Sequence, residues 1–243
     1  MAVVWEAAEL MTTWAEPIRR KESLHFVASI RQAFDIGGGV WPFSFALGPM
    51  RVEAWFRRPL ARLEGNYVDR KWVAVLGHAS NHIYLLSLDS RWVKKEPLAR
   101  IDPEALKLSF FGLDLLNAVT YVSLEERKEA GVSVWVVEGL VVWENGEYGC
   151  TWWVGQDDRM VKRFARHRGS FEFDYGGEKK KVPLPVSSVI EFHAVEFPDD
   201  LPSELFLVPP DAPLEKEGMV EQVLKWLYQW ATSGGRCPGN CPS

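Results

Sequence analysis

Leu24-His25-Phe26-Val27-Ala28-Ser29-Ile30-Arg31 divides its side chains between two faces. Leu24, Phe26, Ala28 and Ile30 fall on one side, and His25, Ser29 and Arg31 fall on the other. A period of two is the signature of a half-buried strand. The same reading extends outward along the chain. Val52-Glu53-Ala54-Trp55-Phe56-Arg57 is a strand that stops at Pro59, and Ala61 to Tyr67, Lys71 to Leu76 and Ile83 to Leu88 follow at short intervals. Val132 to Val142 is apolar on both faces, and Asn145-Gly146 marks a tight hairpin into Gly149 to Val154. Asp157-Asp158 turns into Met160 to Arg166, Phe171 to Tyr175 alternates, and Val189 to Phe197 is the last long strand. Such spacing predicts a mainly β chain built as an antiparallel barrel, half-barrel or sandwich.

Three stretches carry a helical period instead. Ala8, Leu10, Met11 and Trp14 recur at helical spacing between Trp5 and Glu16, and Pro17 is expected to stop that helix. Asp102 is a suitable N-cap and Pro103 suits the first helical turn. The segment 102–118 carries Leu106, Leu108, Phe110, Phe111, Leu113, Leu115 and Leu116, apolar nearly all round. Such a helix needs cover on more than one side, as a plug or lid on a sheet would have. From Leu214 to Trp230 an amphipathic stripe of Met219, Val220, Val223, Leu224, Leu227 and Trp230 predicts a C-terminal helix.

The 243 residues are 47% apolar and 25% charged, enough for a sizeable core and too apolar for disorder. A net charge of −5 makes nucleic acid a poor partner. Twelve tryptophans fit either a large core or an aromatic-lined cavity. No run reaches the ~18 apolar residues of a membrane helix. The start, Met1-Ala2-Val3-Val4-Trp5-Glu6, lacks the basic and apolar regions of a signal peptide. That fits a cytosolic protein or one whose leader has been removed. Cys150 reads as a small buried hydrophobe. Cys237 and Cys241, around Pro238-Gly239-Asn240, fit either a short disulfide loop or two free thiols in a frayed tail.

Catalytic patterns are not found. The sequence holds no P-loop, no G-x-S-x-G and no H-E-x-x-H. Gly37-Gly38-Gly39 lacks the strand–helix context of a dinucleotide site, and His78 and His82 straddle a turn. No metal, cofactor or catalytic residue is expected. Two basic clusters, Lys162/Arg163/Arg166/Arg168 and Lys179-Lys180-Lys181, read as solvated hairpin ends or as contacts for anionic headgroups or an acidic partner.

Two motifs carry a family resemblance. Ala54-Trp55-Phe56-Arg57-Arg58-Pro59, followed by Arg62-Leu63-Glu64, comes early, and Pro202-Ser203-Glu204-Leu205-Phe206-Leu207-Val208-Pro209-Pro210 closes the β-region. Both resemble the LolA-like superfamily, which includes the periplasmic carrier of outer-membrane lipoproteins. Asp69-Arg70-Lys71-Trp72 sits where that family has a hairpin, and 102–118 where it has a helical insertion. The resemblance spans about Trp5 to Ala212. It implies a curved, incomplete antiparallel barrel (a half-barrel) with helices covering its concave side, and the C-terminal helix would be an addition. Residues 1–213 would form that domain and residues 214–243 an amphipathic helix and Cys-containing tail. The Gly37–Leu47 segment, with Trp41, Phe43 and Phe45, is longer and more aromatic than the family pattern.

By resemblance the function is non-catalytic binding and transport of lipid or lipoprotein acyl chains in an apolar cavity. The protein would be a monomer outside the cytoplasm, in the periplasm or cell envelope, delivering to an inner- or outer-membrane protein. Arg58 matches the family arginine that hydrogen-bonds the lid. Val52, Ala54 and Phe56, on the face that period two shares with Arg58, are the expected cavity lining. Phe110, Phe111, Leu113 and Leu116 are the expected lid. The alternative is a cell-envelope sensor or regulatory interaction module on the same fold, its cavity filled by side chains. A hydrolase on this fold would lack a nucleophile–base pair.

Overall fold

A computed structural model describes residues 2–36, 43–67, 70–77, 82–86, 92–95, 102–143, 146–175, 178–183, 186–207 and 214–215. The chain opens with helix α1 (Ala2–Arg20). Strands β1 (Ser23–Ile36), β2 (Phe43–Arg57), β3 (Leu60–Tyr67), β4 (Arg70–Leu76), β5 (His82–Leu86) and β6 (Trp92–Lys95) follow as a meander. Helix α2 (Pro103–Phe110) and a 3-10 turn (Leu113–Leu115) then lead to a second meander. It comprises β7 (Val119–Glu129), β8 (Val132–Trp143), β9 (Gly146–Gly155), β10 (Val161–Tyr175), β11 (Glu178–Pro183) and β12 (Val186–Glu196). A second 3-10 turn (Ser203–Phe206) and a two-residue strand β13 (Leu214–Glu215) complete it.

The 13 strands form one sheet in the order β13-β6-β5-β4-β3-β2-β1-β12-β10-β9-β8-β7, with β11 paired to β10. The first and last long strands therefore join the two meanders at the centre, from His25↔Glu196 to Phe34↔Val186. The sheet is antiparallel except for β13 on β6 and does not close, since β7 and β13 end the path. This is the curved half-barrel that the family resemblance implies.

Alternation decides which face is covered. Leu24, Phe26, Ala28 and Ile30 of β1 are buried, as are Val52, Ala54 and Phe56 of β2. They pack with Ala61 and Leu63 of β3 and with Val137, Trp152, Phe164 and Phe192 from the second meander. Helix α1 adds Ala7, Met11, Trp14, Ala15 and Ile18, a stripe at three- and four-residue spacing. The indole N–H of Trp14 is satisfied by the Met11 sulfur at 2.9 Å.

Four local expectations are corrected. Helix α1 runs through Pro17 to Arg20. Proline removes one N–H and crowds the preceding turn, but one further turn survives because Ile18 is fully buried and Lys21 N–H reaches the Pro17 carbonyl at 3.0 Å. The helix expected over 102–118 stops at Phe110, because Gly112 at φ +70° reverses the chain into the 3-10 turn. The segments expected at Met160–Arg166 and Phe171–Tyr175 merge into one strand, β10 (Val161–Tyr175), with a register irregularity between Arg166 and Gly169. At the expected C-terminal helix, Leu214–Glu215 pairs as a strand with Lys94 and Lys95. The rest of that segment, with Cys237 and Cys241, lies outside the described residues, as do Gly37–Trp41 and His78.

Candidate functional site

The concave face and its helical cover hold seven of the eight residues singled out from the sequence. Val52, Ala54, Phe56, Phe111 and Leu113 are buried, and Phe110 and Leu116 are half-buried against the same cluster. Arg58 is apart from them. Strand β2 ends at Arg57, so Arg58 sits in the turn before a cis peptide to Pro59, with its side chain 63% exposed. Its guanidinium still reaches the cover, with Nη2 3.6 Å from Oε2 of Glu104 on α2.

Aromatic rings fill the space between sheet and cover. Phe111 stacks on Phe192 at 4.5 Å. Phe26 meets Phe110 at 5.1 Å, Phe111 at 5.5 Å and Phe56 at 6.0 Å. Edge and offset contacts at these separations add to the area term. Trp152 stacks on Phe164 at 5.3 Å, and its indole N–H donates to the Phe111 carbonyl at 3.0 Å. Gly112 is required here. A Cβ on it would lie 2.5 Å from the Phe164 ring and 2.8 Å from the Trp152 nitrogen.

Polar contacts hold the cover at its two ends. At the α2 start, Asp102 accepts from the Glu104 N–H at 3.1 Å, as its N-cap reading predicts. Glu104 also takes Nζ of Lys107 at 2.9 Å. At the other end, Arg166 of β10 donates through Nη2 to Ser109 Oγ at 3.1 Å and to Asp114 Oδ2 at 3.1 Å. Nε of Arg166 is shut from solvent and, among the described residues, has no hydrogen-bond partner. Beneath lies the Cys150 thiol, which burial pushes up to about 12, so it is neutral.

The other basic residues have local roles. Lys162 pairs with Asp158, and Arg163 lies over the Trp153 ring at 4.5 Å. Lys179–Lys181 form part of β11, in register with Phe173 and its neighbours on β10. Arg57 of the resemblance motif and Arg62 after it hold the closing segment, whereas Arg58 pairs with Glu104 of the cover. Arg57 donates to the Leu201 carbonyl at 2.6 Å and covers the Phe206 ring at 4.8 Å, while Arg62 donates to the Leu205 carbonyl at 2.9 Å.

The opposite face of the sheet carries a polar cluster beside buried valines such as Val73 and Val136. The His25 ring nitrogens lie 3.0 Å and 3.2 Å from carboxylate oxygens of Glu53 and Glu196. A recess of about 280 Å³ is lined by Arg51, Glu53, Glu64, Gly65, Asn66 and Lys71. Burial pushes the Glu64 carboxyl up, but hydrogen bonds and charge from Lys71 and Arg62 outweigh it, and the net shift is downward. Among the described residues, no group of three or more His, Cys, Asp or Glu could hold a metal ion, and no helix is long and apolar enough to cross a membrane.

Sheet, cover and rim define an open antiparallel half-barrel closed on one face by helices. No protein-family model matches the chain, and no curated protein matches it. Solved structures similar to it include LprF from Mycobacterium bovis, 13% identical, with a TM-score of 0.49 over 83% of this chain and 98% of that one. An uncharacterized conserved protein from Thermus thermophilus is 11% identical, with a TM-score of 0.43 over 86% and 99%. A domain named for outer-membrane lipoprotein sorting, from Vibrio parahaemolyticus, is 11% identical, with a TM-score of 0.35 over 84% and 97%. At these values no family membership follows.

Proposed function

We propose that the protein binds the acyl chains of a lipid or lipoprotein, without catalysis, between the concave face and the cover formed by α2 and the 3-10 turn. One observation carries this reading. The cover presents Phe110, Phe111 and Leu113 to an aromatic sheet face, yet its rim is fixed by a few ion pairs and hydrogen bonds. Rim contacts of this kind are weak and exchangeable, whereas apolar burial is worth ~0.8 kcal/mol per CH₂ of a chain that replaces the cover. A chain would enter as the cover lifts. In this reading residues 1–213 form the binding domain, with 214–243 appended, and a monomer works outside the cytoplasm and hands its cargo to a membrane protein.

Native mass spectrometry of gently purified protein, followed by organic extraction, tests it. An acylated molecule should co-purify, and a fluorescent fatty acid should be taken up. Leu116→Asp, on the half-buried side of the cover, should weaken uptake. No bound lipid and no uptake would sink the reading.

The second reading, an envelope sensor or interaction module, draws on a different fact. Among the described residues, rings from both sides fill the concave face. A module of that kind keeps its cover shut and works through its surface. It predicts no lipid uptake and an unchanged cover on partner binding.

A further inference from the structure

We infer that Arg166 is the headgroup anchor for an anionic amphiphile, whose carboxylate or phosphate takes the guanidinium from Asp114 and Ser109 as the chain enters beneath the cover. This rests on the lipid-binding reading above and names the ligand class that the reading leaves open.

Arg166 stands on β10 in register with Cys150 of β9 and Ser188 of β12. Its side chain is 26% exposed and that of Asp114 is 37% exposed, so an entering ligand can reach both. The present pairing uses little of the guanidinium. Both Asp114 oxygens face a single nitrogen, Nη2, at 3.1 Å and 3.5 Å. Nε stays buried with no acceptor among the described residues. A guanidinium has five N–H donors in a rigid fork, and a carboxylate or phosphate can engage two of them side by side. Asp114, held by its own 3-10 turn, makes no such fork. A mobile anion that bridged Nε and Nη2 would satisfy the orphaned donor, and a buried unmade hydrogen bond is costly.

The surroundings suit a headgroup with a chain attached. The guanidinium lies 5.6 Å from the Phe164 ring centroid, and Phe164 leads to Trp152 and the apolar core. Burial pushes the nearby Cys150 thiol and Tyr148 phenol up to about 12, and among the described residues Asp114 is the carboxylate paired with Arg166. The second buried and unpartnered Nε, on Arg163, lies against Trp153 on the opposite sheet face and has no route to the core. Capture of Arg166 by a ligand also removes the contact that fixes the cover at this end. Headgroup binding and cover release are then one event.

The test measures binding of oleate, oleyl alcohol and acetate to the full chain by calorimetry. Wild type should prefer oleate over oleyl alcohol by about tenfold, the worth of one charge-assisted hydrogen bond. Arg166→Gln should bring that ratio to about one, with Arg166→Lys between the two because the charge remains but the fork is lost. Asp114→Asn, which removes the competitor, should raise the ratio. A ratio that survives Arg166→Gln, or equal binding of the two amphiphiles to wild type, would overturn the anchor and leave lipid binding standing. Acetate binding as tight as oleate would overturn the amphiphile in favour of a free anion. If neither amphiphile binds, both the anchor and the lipid reading fall.

Discussion

Nζ of Lys107 lies 2.9 Å from a carboxylate oxygen of Glu104, one turn earlier on α2, and the lysine is 1% exposed. Burying an ammonium group is costly unless a counter-ion pairs with it. Glu104→Gln leaves that cation unpaired and should cost about 3 kcal/mol or more. Lys107→Met replaces it with an apolar chain of similar length and should be close to neutral. Urea unfolding of both variants checks this asymmetry, and equal losses would refute it.

Gly112→Ala should destabilise by about 2–3 kcal/mol, the range for a side chain forced into a packed site at positive φ. The cause is the 2.5 Å approach to the Phe164 ring together with φ +70°. Gly131, also at positive φ (+86°) but with open space around it, is the control. Gly131→Ala should lose only the backbone share, about 1 kcal/mol. Thermal unfolding of the two variants separates crowding from conformation.

Arg57→Ala should loosen residues 201–207 specifically. It removes the donor to the Leu201 carbonyl, a contact to Ser203 Oγ at 3.2 Å and the cover over Phe206. Amide exchange at Leu205 and Leu207 should quicken, while β8 and β9 are unaffected. A uniform rise across the sheet would instead mean global destabilisation.

Alkaline pH should unfold the protein earlier than its surface charges alone would. Burial pushes the Cys150 thiol from 9.0 to about 12 and the Tyr121 and Tyr148 phenols from 10.0 to about 12. Each is raised above its unfolded value, so each contribution is whole below that value. It is lost as pH climbs, from 9 for the thiol and 10 for the phenols, toward 12. Cys150→Ala should flatten the part of the stability profile that begins near pH 9. An unchanged slope would count against a neutral buried thiol. The native thiol should also resist alkylation until the protein unfolds.

The sheet was legible where alternation was uninterrupted. Leu24–Arg31 and Val52–Arg57 became β1 and β2 with the expected residues inside. Strand β7 carries a weaker signal. It is the sheet edge, its Glu125-Glu126-Arg127-Lys128-Glu129 half is exposed on both faces, and Val122 is 61% exposed. Strand β6, Trp92–Lys95, is only four residues long. The run Lys179–Lys181 hides β11, which pairs beyond the irregularity in β10.

In the site, the burial of Val52, Ala54, Phe56, Phe111 and Leu113 was readable because burial follows periodicity. Their polar fastenings were not, since pairs such as Arg166–Asp114 join residues 52 apart in sequence. Arg166 stood out as a member of a basic cluster, but nothing local distinguished it from Arg163. Lys107 had only a glutamate three positions earlier to hint that it could be buried.

The ladder between β1 and β12 bears on how the chain comes into being. Its side chains His25 and Glu196 meet across 171 positions. During synthesis the first meander can assemble early, but the outer side of β1 has no neighbour until β12 has been made. For that interval the nascent chain carries an unpaired strand edge, which is the condition that favours aggregation. Closure at the middle of the sheet comes last and joins distant segments, so folding should be slow for a protein of this size. A holding chaperone, or export in an unfolded state, would shelter the chain through that interval.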